Sequence, residues 1–259
     1  NGASGITVAK IGEAEVMAEA GIDDILVAYP IIGEVKASRL LNLRNWVPRL
    51  ACTVDSVEGA LGLSEAVRSS NVRSEEPLDV YIEVDVGLKR VGLPAGADVV
   101  RLAAAIKDLP GIKIRGILTH AGHAHSATNA EELLAIARTE AGLMVDTARM
   151  LREAGIPVEE VSIGSTPTSC VIDRLEGITE IRPGTYVFND TDLVALGVAT
   201  LADCALSVLA TVVSRPADDR IVFDAGTKTL SGDKPGEPVI PGHGLVKGQP
   251  DIWIERLNE

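Results

Sequence analysis

Apolar positions along this 259-residue chain fall into two alternating textures. Short runs such as Asp24-Ile-Leu-Val-Ala-Tyr29 are apolar on both faces, the mark of a strand covered on both sides in a parallel sheet. Between them lie stretches of helix formers. Ile11 to Ala20 carries Glu13, Ala14, Glu15, Met17, Ala18 and Glu19 and stops at Gly21, a residue suited to the left-handed turn after a helix. Strand-like runs begin at Gly5, Asp24, Arg49, Val80, Ile112, Val158 and Ile178, with helices predicted over Ser56 to Arg68, Ala97 to Leu109 and about Asn129 to Ala154.

Strands alternating with helices predict an α/β fold with a parallel sheet, either open and doubly wound or closed into a barrel. The seven runs are one short of a (β/α)8-type TIM barrel. We read that barrel here, with its first strand expected upstream of Asn1. After Asp190 the texture changes. Ala205 to Ser214, Arg220 to Asp224, His243 to Gly248 and Asp251 to Arg256 are β-rich, with turn residues clustered at Ser231 to Gly236 and Ile240 to Gly244. The expected organisation is a barrel domain over 1–195 and a partial all-β domain over 196–259. The chain opens without methionine on a loop-like Asn1-Gly-Ala-Ser-Gly5 and stops soon after a strand-like stretch, so both ends are expected to be cut.

Composition narrows the partners. A net charge of -13 with scattered basic residues argues against nucleic acid or an anionic membrane, since neither favours a negative surface without a basic patch. Only 3% of residues are aromatic, too few for base-stacking platforms. Cys52, Cys170 and Cys204 stand far apart, which fits a reducing, cytoplasmic setting better than a disulfide framework.

Candidate chemistry sits at the predicted strand exits, where barrel active sites lie. Thr119-His-Ala-Gly-His-Ala-His125 holds three of the four histidines. A metal site, a polar surface loop, and contact with a cofactor ring or proton transfer are all open readings of it. Ser162-Ile-Gly164-Ser165-Thr166-Pro-Thr168 and Arg182-Pro-Gly184-Thr185-Tyr186 follow the last two strands, where barrels often hold phosphate. Small residues there leave backbone N–H groups open to an anion. Asp85-Val-Gly87-Leu-Lys-Arg90-Val-Gly92 sets an arginine at a strand exit, able to grip a carboxylate or phenolate or simply to sit in a solvated loop.

In order, G-I-x-T-H (Gly116 to His120), G-S-T-P-T (Gly164 to Thr168) and R-P-G-T-Y-V-F-x-D (Arg182 to Asp190) resemble the fold type III pyridoxal enzymes. The resemblance is to the D-threonine aldolase and D-serine dehydratase family, with alanine racemase a more distant relative. Gly5 to Ala20, Glu83 to Gly92 and Asp224 to Ser231 fit as well, so the likeness covers nearly the whole chain. It implies pyridoxal 5'-phosphate as cofactor, with Ser165 and Thr166 and the amides of Gly184 and Thr185 on its phosphate. Gly164 and Tyr186 belong to the same two loops. His120 would lie against the pyridine ring, Arg182 would face the ring nitrogen, and Arg90 would stand by the ring substituents or the substrate carboxylate.

Three departures follow. Nothing matches the family's Schiff-base lysine segment. Lys10 ends a strand, but the Glu13-Ala-Glu15 beside it corresponds to the family's second strand. The family's late His-x-Cys or His-x-Asp metal pair, for zinc or manganese, has no counterpart, so no metal ligand is assigned. His125 stands where a tyrosine is usual, as a candidate for proton transfer. The resemblance implies a homodimeric lyase acting on small D-amino acids. We place D-threonine aldolase first, D-serine dehydratase second and a non-catalytic pyridoxal-phosphate-binding protein third.

Overall fold

Each of the seven strand-like runs yields a strand in the computed structural model, which describes residues 2–70, 76–232 and 242–259. They are β1 (Ile6–Val8), β2 (Asp24–Pro30), β3 (Arg49–Val54), β4 (Leu78–Asp85), β6 (Ile112–Leu118), β7 (Glu160–Ile163) and β8 (Glu180–Ile181), with a two-residue β5 (Leu93–Pro94) after β4. All pair in parallel in the order β1-β2-β3-β4-β6-β7-β8, with β5 on β4. A doubly wound sheet reverses its strand order at a switch point, whereas a barrel adds each strand beside the last. The order here never reverses. This is the α/β barrel-type fold, with β1 and β8 at the ends of the path.

The chain divides into two compact units. The first comprises Asn1–Ala121, Arg138–Gly164 and Asp173–Arg182 and contains the whole parallel sheet; the second comprises Gly122–Ala137, Ser165–Ile172 and Pro183–Glu259.

In the first unit, helices follow the strands because their apolar residues recur on one face. α3 (Val57–Ser69) starts at Ser56, whose side chain accepts from the Gly59 amide at 3.2 Å, and buries Ala60 and Leu63. α4 (Ala97–Ile106) buries Val99, Leu102, Ala103 and Ile106, the i, i+3, i+4, i+7 stripe of an amphipathic helix. Each large side chain so buried contributes about 2 kcal/mol. α1 (Ile11–Glu19) ends before Gly21, which has a φ of 88°. α2 (Glu34–Leu43) was not among the predicted helices. It starts at Gly33 with no side-chain cap, so the start signal that marks α3 is missing from its sequence.

Register sorts the interior side chains into layers. Tyr81, Gly116 and Glu160 stand at one level, and Glu83, Leu118, Ser162 and Glu180 at the next. Leu26, Tyr81 and Leu118 pack together with Ala28 and Ala51 against them. Residues two apart on a strand share a face, so Glu83 lies on the same side as Tyr81, one step nearer the C-terminal strand ends.

The second unit begins with a 3-10 turn at Gly122–Ser126 and the first turns of α5 (Ala130–Glu153), and includes α6 (Thr166–Val171) and α7 (Thr191–Ala195). Ala124, Ala127 and Leu133 form its core, with Ile136, Val171, Leu196 and Val198 packed on them. Two antiparallel ribbons follow, β9 (Val212–Ala217) with β10 (Arg220–Phe223) and β11 (Leu245–Val246) with β12 (Gln249–Trp253). The β-rich expectation over Ala205 to Ser214 is corrected. The strand begins at Val212 and runs through Pro216, because β10 offers pairing only from Val212 onward. The last two runs are likewise shorter or shifted, with β12 starting at Gln249 rather than Asp251. Residues 233–236 and 240–241 of the expected turn clusters lie outside the described residues. Among the described residues no helix is long and apolar enough to cross a membrane.

Candidate active site

At the C-terminal strand ends of the first unit, an arginine ties three strands together. Arg182 follows β8, and its guanidinium donates to the Ser162 hydroxyl of β7 and to the Thr119 carbonyl after β6. Ser162 in turn donates to Glu180. Burial pulls the pKa of Arg182 below the usual arginine value, opposed by Glu180, Glu140 and Glu83. The Thr119 side chain is fully buried and donates to the Val84 carbonyl at 2.6 Å. Its neighbour His120 has Nδ1 3.1 Å from the Gly164 carbonyl. Gly164 is held from the other side, its amide donating to Glu140 of α5 at 3.0 Å.

The same unit carries the β4 exit. Asp85 accepts from the amides of Gly87 and Lys89, both at 2.9 Å, and the loop returns through Gly92 to pair β5 with β4. Arg90, on this loop, stands 3.9 Å from Glu83.

In the second unit the Ser165 and Thr166 expectation meets a defined geometry. Ser165 caps α6 in a reciprocal box with Thr168, which receives and returns a hydrogen bond to the cap. The amides of Gly184 and Tyr186 both donate to the Thr166 hydroxyl at 3.2 Å, with Thr185 between them in a 3-10 turn over Thr185–Val187. Thus Ser165, Thr166, Gly184, Thr185 and Tyr186 come together. This small cup converges backbone N–H groups and hydroxyls on one place, the donor set a phosphate takes.

Also in this unit, His125 Nδ1 is hydrogen-bonded to Asp192, in the first turn of α7. That bond raises the His125 pKa, against the opposing effect of burial. An Asp192→Asn change should therefore bring the His125 pKa back down towards its ordinary value of about 6.5. Long-range proton–nitrogen NMR of the imidazoles would read it, and an unmoved titration would mean that Asp192 does not set the charge of His125. Among the described residues no group of three His, Cys, Asp or Glu side chains could hold a metal ion. Among the described residues the histidine cluster therefore does not form such a group.

Sequence reasoning did not single out Glu83, Thr119, Ser162 or Asp192 as site residues. Glu83 had a usable signal, since a carboxylate amid the apolar residues of a parallel strand must find a partner. Asp192 had none, because its partner lies 67 positions away along the chain.

Residues 1–192 match the family described as the alanine racemase N-terminal domain, and residues 205–259 match the one described as "Putative serine dehydratase domain". The chain is 40% identical over 237 residues to D-threo-3-hydroxyaspartate dehydratase of Delftia sp. (strain HT23), covering 90% of this chain and 60% of that protein. It is 33% identical over 264 residues to D-threonine aldolase of Arthrobacter sp, covering 96% and 68%. The solved structure of the Delftia dehydratase superposes with a TM-score of 0.83 at 38% identity, covering 93% of this chain and 63% of that one. The chain thus spans about three fifths of the first relative's length.

Proposed function

We propose, for a chain that belongs to the alanine racemase N-terminal domain family, that it is the cofactor-holding part of a pyridoxal-phosphate-dependent lyase acting on D-3-hydroxy amino acids. The observation that carries this reading is the pair of amides, from Gly184 and Tyr186, aimed at Thr166. With the hydroxyls of Ser165 and Thr166 and the amide of Thr185, they offer the kind of donors an acceptor-only phosphate dianion requires. The barrel domain over 1–195 would carry the cofactor, the β-part over 196–259 would extend it, and the assembled protein would be a homodimer.

Bound pyridoxal phosphate supplies an electron sink for the pair released when a bond at Cα breaks. The residues of this chain bind and orient. His120, its Nδ1 engaged by the Gly164 carbonyl, keeps a set ring plane and would lie against the pyridine. Arg182, braced by Ser162 and Thr119, has donors left for the ring nitrogen. Arg90 would hold a phenolate or substrate carboxylate. His125, oriented by Asp192 through Nδ1, would keep Nε2 for moving a proton at the substrate's β-hydroxyl. The lysine that joins such a cofactor has no assigned counterpart among these residues.

Sequence alone placed aldol cleavage first. One observation favours elimination instead: of the two relatives above, the dehydratase is the more similar, at 40% against 33% identity. A D-3-hydroxy amino acid that loses its β-hydroxyl as water leaves an imine that water hydrolyses to a 2-oxo acid and ammonia, whereas Cα–Cβ cleavage gives glycine and an aldehyde. The full-length protein, supplied with pyridoxal phosphate and a divalent metal, should release ammonia from D-threo-3-hydroxyaspartate or D-serine and leave the L-enantiomers untouched. Acetaldehyde from D-threonine without ammonia would restore the aldolase reading. No turnover of any of the three D-substrates would refute the lyase assignment.

A further inference from the structure

Glu83 is a buried carboxylate at the catalytic end of the barrel. Its side chain is 4% exposed, and its Oε2 has no hydrogen-bond partner. Its Oε1 lies 3.9 Å from Arg90 Nη2, too long for a hydrogen bond but close for a charge. Arg90 is 46% exposed, so its guanidinium has one side towards a buried charge and the other open.

The loop that brings Arg90 there is tightly built. Asp85 clamps two of its amides, and Lys89 takes a left-handed φ of 57°. Gly92 has a φ of 96°, and a Cβ there would come within 3.0 Å of the Glu83 and Asp85 backbone. The Gly92 amide also reaches Asp55 at 3.3 Å. So the chain leaves Glu83, turns, and returns onto Glu83's own backbone, carrying Arg90 back above the carboxylate.

We propose that Glu83 is a positioning residue, whose buried carboxylate sets the guanidinium of Arg90 for an anionic group of the bound cofactor or substrate. The inference rests on the pyridoxal-phosphate reading above. At 3.9 Å the pair is a charge contact rather than a hydrogen bond, so the guanidinium of Arg90 keeps donors to spare for a further anion.

The charge on Glu83 is held at a cost. Burial raises its pKa to about 7, opposed by Arg90 and Arg182, while Asp55 adds to the rise and the Thr53 hydroxyl opposes it. Arg90, Arg182 and Asp55 are its charged neighbours, from the loops after β4, β8 and β3, and Thr53 lies within β3. A folded pKa above the unfolded one means the residue favours the folded state at low pH, and that this contribution is lost as pH rises through about 7. Neutralising Glu83 should then leave stability unchanged or raised above that pH, while loosening Arg90.

The test is Glu83→Gln in the full-length protein, against wild type, Arg90→Lys and the double variant. Pyridoxal phosphate is titrated by its visible absorbance across the neutral range, and melting is followed in parallel. In wild type, half-saturation should tighten about fivefold as pH rises through neutrality, the upper range for a half-exposed ion pair. In Glu83→Gln the step should vanish at the weaker value, melting above neutral pH should not fall, and nothing further should be lost in the Arg90→Lys background. A wild-type step persisting in Glu83→Gln, or an equal added loss in the double variant, overturns the proposal. If Glu83→Gln fails to fold, the proposal is overturned too, since the protonated wild-type side chain is likewise neutral and nearly the same shape. Failure of wild type itself to take up pyridoxal phosphate is a different result, and it removes the cofactor reading on which the inference stands.

Discussion

Gly116→Ala should destabilise the barrel by about 3 kcal/mol, the upper end for overpacking a tight interior. Two effects compete at this position. A glycine inside a strand is conformationally costly, and alanine would ordinarily recover roughly 0.5–1 kcal/mol. Against that, a Cβ built on Gly116 would meet the Glu160 carbonyl oxygen at 2.2 Å and its carbon at 2.8 Å. Both are backbone atoms of β7, paired in register with Gly116, so no side chain can swing aside. The sheet must part at β6 and β7, and sterics win. The hydrogen bond from the Thr119 amide to the Ser162 carbonyl, at 3.0 Å, lies just beyond on the same seam, so the damage would reach the residues that brace Arg182. Thermal denaturation should show a fall of roughly 6–12 °C, at about 2–4 °C per kcal/mol for a domain this large. Gly62→Ala is the control, since Gly62 sits in α3 with nothing within 4 Å of an added Cβ. It should raise the melting point slightly. Equal melting of Gly116→Ala and wild type would show that β6 and β7 do not pair in this register.

Gly116 also marks what sequence reading reaches. The letter was visible as the first of the G-I-x-T-H segment, but its reason is a distance across two strands separated by the whole of α5. The strands themselves were legible because burial on both faces leaves an apolar run that nothing else explains. The long helices were legible where a cap or an apolar stripe announced them, as at Ser56 and along α4. α2 lacked a start signal, and the β9 limits depended on where β10 offered a partner. The same divide runs through the candidate site. Loops rich in small and hydroxyl residues at strand exits could be read as anion holders one at a time. That the Gly184 and Tyr186 amides share one acceptor on Thr166 could not, because it depends on how two loops 18 and 20 positions apart come to meet. The pairing of His125 with Asp192 is hidden for the same reason.

Thr166→Val should weaken pyridoxal phosphate binding about 10- to 100-fold, the value of one or more hydrogen bonds to a charged group. The swap keeps the branched shape and removes a single hydroxyl. That hydroxyl now accepts two backbone amides at 3.2 Å each, so its loss acts twice. On the proposed reading it would delete a donor to the phosphate, and it would free the 184–186 turn from the point that gathers its N–H groups. The fold should suffer little, roughly 1 kcal/mol, because the freed amides are only part-buried and water can reach them. Thr166→Ser restores the hydroxyl and should bind almost as wild type. The discriminating ligand is pyridoxal without its phosphate: its weaker affinity should be the same for wild type and Thr166→Val, since the cup contacts only what pyridoxal lacks. If both ligands lose affinity equally, Thr166 acts on the fold or on the ring rather than on phosphate, and the 165–166 and 184–186 loops are not the phosphate cup.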